Sequence, residues 1–105
     1  MISGAELASH QVLLASVPDE LRRSYSQRLL GRLIAYDRAH HSDLVHTLRV
    51  FLESCGSWAR CAKLLHLHTN TLRYRIRRIE EITGRDLTDF AVRVDFYLAL
   101  ELSDG

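Results

Sequence analysis

Ser57 to Gly84 reads SWARCAKLLHLHTNTLRYRIRRIEEITG, and the spacing of its apolar residues decides how the chain is read. A serine hydroxyl can accept a hydrogen bond from a free amide of a first helical turn, so Ser57 suits an N-cap. The helix it opens runs from Trp58 to about Leu65, with Trp58, Ala59, Ala62 and Leu65 as apolar positions. His66-Leu67-His68 is a short connector. A second helix spans about Thr69 to Thr83 and stops at Gly84, the residue type that most readily takes the left-handed turn closing a helix. Ala59 and Ala62 are small enough for a second helix to cross closely, and Leu67 is placed to plug the angle between the two. A helix, a tight corner and a second helix that packs across the first make a helix-turn-helix.

The second helix carries the chemistry. On a wheel of about 100° per residue with Leu72 at zero, Ile76 and Ile79 fall within about 40° of it and form the inner stripe. Asn70, Tyr74 and Arg77 sit near the far side, flanked by Arg73 and Arg78. The outward face therefore combines polar tips, one aromatic hydroxyl and three guanidinium groups. Arginine binds phosphate, or grips guanine through two parallel hydrogen bonds. Thr69, Asn70 and Arg73 lie near the helix start, the part that enters a major groove deepest. Thr71, Tyr74, Arg77 and Arg78 are better placed for phosphates, which position a protein without reading sequence. Arg75 falls close to the apolar stripe and reads as structural, snorkelling or paired with a carboxylate. Glu80 and Glu81 would repel DNA, so the contact surface is expected to end near Arg78.

Working outward, Asp86-Leu87-Thr88-Asp89 is a polar turn in which Thr88 or Asp89 can cap a last helix, Phe90 to about Leu102. Val94, Tyr97 and Leu98 lie on one side of that helix, and Phe96 and Leu100 widen the stripe. A helix apolar over so much of its circumference is either deeply buried or shared with a partner chain. Upstream, Leu44, Leu48, Phe51 and Leu52 mark the inner face of a helix with Ser42 as N-cap, Asp43 in its first turn and Gly56 as a C-terminal glycine cap. Before it, Leu29/Leu33 and Leu30/Ile34 are i,i+4 pairs on a helix ending near Ala39, closed by His40 and His41. Pro18, Asp19 and Glu20 suit the first turn of a helix running toward Arg28, with a bend allowed before Leu29 because Ser24 and Ser26 interrupt it. Residues 5–15 read as a short helix with Leu7, Leu14 and Val12 on its apolar side. No segment alternates with a period of two. The expected fold is all-α: a single multi-helix domain over 1–105, with residues 1–40 as helical support and 42–102 as the helix-turn-helix core with its closing helix.

Composition agrees. The chain has 105 residues, 47% of them hydrophobic, which is enough for one modest core. Its net charge is only +1, but the charge is segregated. Between Ser57 and Arg85 stand Arg60, Lys63, Arg73, Arg75, Arg77, Arg78 and Arg85 against Glu80 and Glu81, while acidic residues outnumber basic ones elsewhere. A positive patch on an otherwise acidic chain points to a polyanion reached by one face. No apolar run approaches the length of a membrane span, and the N-terminus has no basic region followed by a long apolar stretch. With only Cys55 and Cys61, a disulfide scaffold is not expected, and a cytoplasmic location fits.

Leu67-His68-Thr69-Asn70-Thr71-Leu72-Arg73-Tyr74-Arg75-Ile76-Arg77-Arg78-Ile79-Glu80-Glu81-Ile82-Thr83-Gly84-Arg85-Asp86-Leu87 resembles the C-terminal helix-turn-helix of PucR/CdaR-type bacterial transcription regulators. So do Tyr36-Asp37, Leu44-Val45-His46-Thr47-Leu48-Arg49-Val50-Phe51-Leu52 and Leu98-Ala99-Leu100. The resemblance covers roughly residues 29–102. It implies a transcription regulator whose longer parent carries a sensor domain, often responsive to a small metabolite, and which binds double-stranded DNA as a homodimer on two half-sites. On that analogy Thr69, Asn70, Thr71, Arg73, Tyr74 and Arg77 carry over as contacts. Trp58 and Cys61 depart from the pattern, standing where smaller or plainer residues are expected.

Other constellations lead elsewhere. His66 and His68, two apart, and Cys55 and Cys61, six apart, do not match a tetrahedral zinc spacing, so no metal or other cofactor is expected. His68 reads as a cap of the second helix or a phosphate contact, and Cys61 as a small buried residue. Asp37 and Asp43 have no nucleophile, base or glycine loop near them, so no catalytic site assembles. Tyr36-Asp37 reads as a packing element, with Asp37 accepting hydrogen bonds or pairing with an arginine. The competing reading is a helical dimerisation or protein-interaction domain, using the last helix and residues 5–36, with an incidental basic face.

Overall fold

Asp37 shows how this chain turns its corners. Its carboxylate accepts hydrogen bonds from the amides of Leu44 (2.8 Å) and Val45 (3.0 Å) and from the Ser42 hydroxyl (2.6 Å). The free amides that open one helix are thus satisfied by a side chain from the helix before it. The computed structural model describes residues 9–104, and all regular structure in it is helical: α1 (Ser9–Ala15), α2 (Asp19–His40), α3 (Leu44–Glu53), α4 (Trp58–Leu65), α5 (Thr69–Thr83) and α6 (Phe90–Asp104). The all-α expectation therefore holds, and residues 5–8, including Leu7, lie outside the described part.

The helix α2 is the spine. It packs most extensively on α6 and also meets α3 and α5, while α3 touches α4, α5 and α6. Leu29, Leu30 and Leu33 of α2 join Leu44, Leu48 and Phe51, Cys61 and Ala62, Leu72, Ile76 and Ile79, Leu87, and Phe96, Ala99 and Leu100 in one buried cluster. At about 1.5–3 kcal/mol for each fully buried large apolar side chain, this cluster supplies the drive that short helices lack on their own.

Several local expectations are corrected. The helix α2 runs for 22 residues without a break at Ser24 or Ser26. Ser26 is small and buried, so it lets a neighbour approach rather than interrupting the helix. Pro18 is the N-cap of α2 rather than part of its first turn, with extended dihedrals and no hydrogen-bonding side chain. Asp37, not Ser42, supplies the side-chain cap of α3; the Ser42 hydroxyl is itself bound to Asp37. In α1 Val12 is 59% exposed, and only Leu14 of its apolar residues is half-buried. In α6 the inward stripe is Phe96, Ala99, Leu100 and Leu102, while Phe90 is 75% exposed and Val94 37%. Asp89, one of the two candidates, caps α6 by accepting from the Ala91 amide at 2.9 Å, and Thr88 turns to Asp86.

Gly56 does close α3, within a two-residue left-handed turn shared with Cys55 (φ 55° and 75°). A β-carbon on Gly56 would stand 2.9 Å from the Arg93 guanidinium. Arg93 lies over the Phe51 ring and donates to the Leu87 carbonyl at 2.6 Å, tying α6 to the core and to the preceding turn. Midway along α6, His10 of α1 meets the Tyr97 ring edge-on, 3.1 Å from its hydroxyl. Burial, followed by the nearby Glu101 carboxylate, holds the Tyr97 phenol above its ordinary pKa.

Candidate nucleic-acid interface

The corner between α4 and α5 is built from three residues. Ser57 caps α4 by accepting from the Arg60 amide, as expected. At the far end His66 enters the left-handed region (φ 55°), its amide reaches Lys63 O (3.2 Å), and the Leu67 amide reaches Ala62 O (2.9 Å). This paired closure satisfies the last carbonyls of α4 and turns the chain sharply. His68 is then the N-cap of α5, its Nδ1 accepting from the Asn70 amide at 3.2 Å. Gly84 (φ 70°) closes α5 as expected. On α4 the buried small residues are Cys61 and Ala62, whereas Ala59 faces solvent. Leu65 packs on the core, and Leu67 is half-buried. Burial pushes the Cys61 thiol above its ordinary pKa, with a smaller opposing effect from a hydrogen bond with Ser54.

In α5 the stripe of Leu72, Ile76 and Ile79 is buried, as the wheel predicts. Asn70, Thr71, Arg73, Tyr74 and Arg77 are exposed, and Thr69 is half-buried at the helix start. Tyr74 is 64% exposed, an aromatic ring standing in solvent beside arginines. The arginines of α5 are not equivalent. Arg75 donates to Asp43 at 2.7 Å, the pairing with a carboxylate that its wheel position suggested. Arg78 donates to the Tyr36 hydroxyl and to Glu81, both at 3.3 Å, and lies over the Tyr36 ring. Those two acceptors, Tyr36 first, raise its pKa further and keep it charged. Arg73 rests over the Trp58 ring, 5.3 Å from its centroid. Arg77 has no partner among the described residues.

The exposed row is thus Asn70, Thr71, Arg73, Tyr74 and Arg77, with Arg78 tethered at its edge to α2. Two positions carry more than the sequence reading gave them. Asp43 and Tyr36 act as docking points that set the height of α5 against the α2–α3 corner. Arg60 and Lys63 are exposed cations on α4 without partners among the described residues, and they extend the positive surface beyond α5. The charge segregation carries their signal, since both belong to the excess of cations between Ser57 and Arg85. Glu80 turns away to accept from the Leu87 amide (2.8 Å), and Glu81 is paired with Arg78, so neither carboxylate stands as a bare charge beside the row.

Among the described residues no three His, Cys, Asp or Glu side chains gather as a metal site, and no helix is long and apolar enough to cross a membrane.

Comparison with known proteins matches residues 44–102 to the model of the PucR C-terminal helix-turn-helix domain. The DNA-binding transcriptional activator AdeR of Bacillus subtilis is 33% identical over 97% of this chain and 24% of its own length. The proline-responsive transcriptional activator PutR of the same organism is 38% identical over 74% of this chain and 19% of its own length. The carbohydrate diacid regulator of Escherichia coli is 36% identical over 89% of this chain and 24% of its own length. The chain thus spans about a quarter or less of the length of these relatives. No solved structure matches it.

Proposed function

The chain belongs to the PucR C-terminal helix-turn-helix domain family, and on that premise we propose that it binds double-stranded DNA sequence-specifically, as the output module of a bacterial transcription regulator. In this reading α5 lies in the major groove. Asn70 and Arg73, with Thr69, face base edges, and Thr71, Tyr74, Arg77 and Arg78 meet phosphates. A homodimer would place two such helices on half-sites one helical turn of DNA apart, about 34–36 Å. A sensor domain in a longer parent protein would supply the signal. The reading assigns the chain no catalytic role.

One observation carries the proposal. The helix α5 buries Leu72, Ile76 and Ile79 against a helix that meets it through a three-residue corner, and it turns Asn70, Thr71, Arg73, Tyr74 and Arg77 outward. Such a face has donors without protein acceptors and a positive charge to draw phosphates. The names of the relatives, a DNA-binding activator among them, point the same way.

Anisotropy titrations across salt, on sequences selected from a random DNA pool, test it. Arg73→Ala should relax preference at one base pair by about 1–3 kcal/mol. Arg77→Ala should weaken all DNA alike and flatten the salt dependence by about one unit. A folded Arg73/Arg77 double alanine variant with undiminished affinity for the selected sequence would refute the assignment.

The second reading, a helical interaction domain, draws on Phe90 and Val94, which leave an apolar strip of α6 in solvent beside Leu52 and Tyr97. It predicts no salt-dependent DNA binding when it stands alone. It is compatible with the first reading if the strip serves a DNA-bound dimer.

A further inference from the structure

We propose that Trp58 is a specificity-positioning residue: its indole holds the Arg73 guanidinium in place and so sharpens the base preference of α5. The inference rests on the DNA-binding reading and adds a residue from the preceding helix to it.

The arginines of this chain differ in how many of their donors are engaged by the protein. A guanidinium carries five N–H groups, and any of them used on a protein acceptor is withdrawn from a ligand. Arg75 spends one on Asp43, and Arg78 spends two, on Tyr36 and Glu81. Outside α5, Arg22 is committed to three backbone carbonyls, Arg85 to Asp95, and Arg93 to Leu87. Arg73 differs from all of these. It has no hydrogen-bond partner among the described residues, yet it is not loose, because its guanidinium carbon sits 5.3 Å from the centre of the Trp58 ring. A cation–π contact engages the face of the guanidinium and leaves the N–H groups at its rim unspent. Arg77, one turn further on, has neither a ring contact nor a hydrogen-bond partner among the described residues.

The platform is itself anchored. Trp58 is the first residue of α4, directly after the Ser57 cap, and its ring packs against Phe51 with centroids 5.1 Å apart at 57°. Phe51 is fully buried in the core cluster. The Arg73 side chain therefore refers back through Trp58 to the rigid interior rather than to a mobile surface group. Glu80, a carboxylate on the same flank of α5, does not compete for it, since Glu80 accepts from the Leu87 amide.

Specificity depends on this. A guanidinium already confined near one direction loses less freedom when it grips a base edge, and it is less able to swing to a neighbouring base pair or phosphate. The arrangement divides the labour on α5: Arg73, held by the Trp58 ring with its donors free, suits base reading, while Arg77, without such a platform, suits a phosphate. Trp58 acts only through Arg73 and needs no contact with DNA.

The test uses the full chain and the DNA sequence selected from a random pool, with each base pair changed in turn. Trp58→Leu should reduce discrimination about two- to fivefold, the measure of an exposed cation–π contact, at the same base pair whose preference Arg73→Ala removes. The salt slope should stay as in the wild type. In an Arg73→Ala background, Trp58→Leu should change discrimination no further. Unaltered discrimination in Trp58→Leu, or an equal loss with and without Arg73, overturns the proposal. Absence of salt-dependent binding by the wild-type chain overturns the DNA reading and this one together. A second measurement is independent of how well the Trp58 variant folds. Trp58 is the one tryptophan in the chain, so its emission reports on the contact directly. Arg73→Ala should shift that emission in the DNA-free protein and Arg77→Ala should not; an unshifted spectrum in Arg73→Ala overturns the proposal by itself.

Discussion

Replacing Asp37 by alanine removes the acceptor that joins α2 to α3. In the native corner its two carboxylate oxygens take the amides of Leu44 and Val45 and the hydroxyl of Ser42. Loss of a helix cap costs about 0.5–2 kcal/mol, and loss of the hydroxyl bond adds about 0.5–1.5 kcal/mol. Because water reaches this half-buried corner and re-solvates part of what is freed, the combined effect should be about 1–3 kcal/mol. For a chain of this size each kcal/mol moves the unfolding midpoint by about 4–8 °C, so the expected fall is roughly 5–20 °C. Asp37→Asn, with one neutral acceptor oxygen and an amide group facing a donor, should fall between alanine and wild type. Asp43→Ala is the control, since it removes the Arg75 ion pair, which is largely exposed, and such pairs are worth about 0–1 kcal/mol. Urea and thermal unfolding followed by circular dichroism measure all three. An Asp37→Ala variant within about 0.5 kcal/mol of wild type, or less perturbed than Asp43→Ala, would refute the claim that this carboxylate holds the corner.

Two further expectations concern the turns and the thiols. Gly84→Ala meets nothing within 4 Å and should cost only the left-handed backbone penalty, about 1–2 kcal/mol; Gly56→Ala carries the same penalty and also displaces the Arg93 guanidinium from 2.9 Å away, so chemical denaturation should rank it as the more destabilised of the two. In the native protein a maleimide should label exposed Cys55 rapidly and leave Cys61 unmodified until denaturant is added, because Cys61 is fully buried and burial holds its thiol protonated; mass spectrometry of the labelled peptides reads the result, and equal labelling of both would contradict the packing of α4.

On the proposed reading, the arginines of α5 divide into those that would meet DNA and those that seat the helix. Arg75 and Arg78 are tied to the α2–α3 corner by Asp43 and Tyr36, so their replacement should alter how α5 is seated as well as its charge. Arg73 and Arg77 have no hydrogen-bond or ion-pair partner among the described residues, so changes there should test the proposed interface with less effect on how α5 is seated.

What could be read from the sequence alone was whatever short-range chemistry decides. The inner stripe of α5, the Ser57 and Gly84 caps and the tight corner all depend on residues within one or two turns of each other, and periodicity and capping express themselves over that range; for His68 the same range left a cap and a phosphate contact both open. The family resemblance added the same motif over roughly residues 29–102. Only the tertiary structure decided which of two apolar stripes on α6 turns inward, since Phe90, Val94 and Tyr97 also repeat at helical spacing and the packing of α2 and α3 alone favours Phe96, Ala99 and Leu100. It likewise decided that Asp37 rather than Ser42 caps α3, that Cys61 rather than Ala59 is buried with Ala62 on α4, and which arginines are spent. Arg75 meets Asp43 across 32 positions and Arg78 meets Tyr36 across 42. A long flexible side chain chooses its partner by distance in space, and no local pattern encodes that choice before the helices are packed.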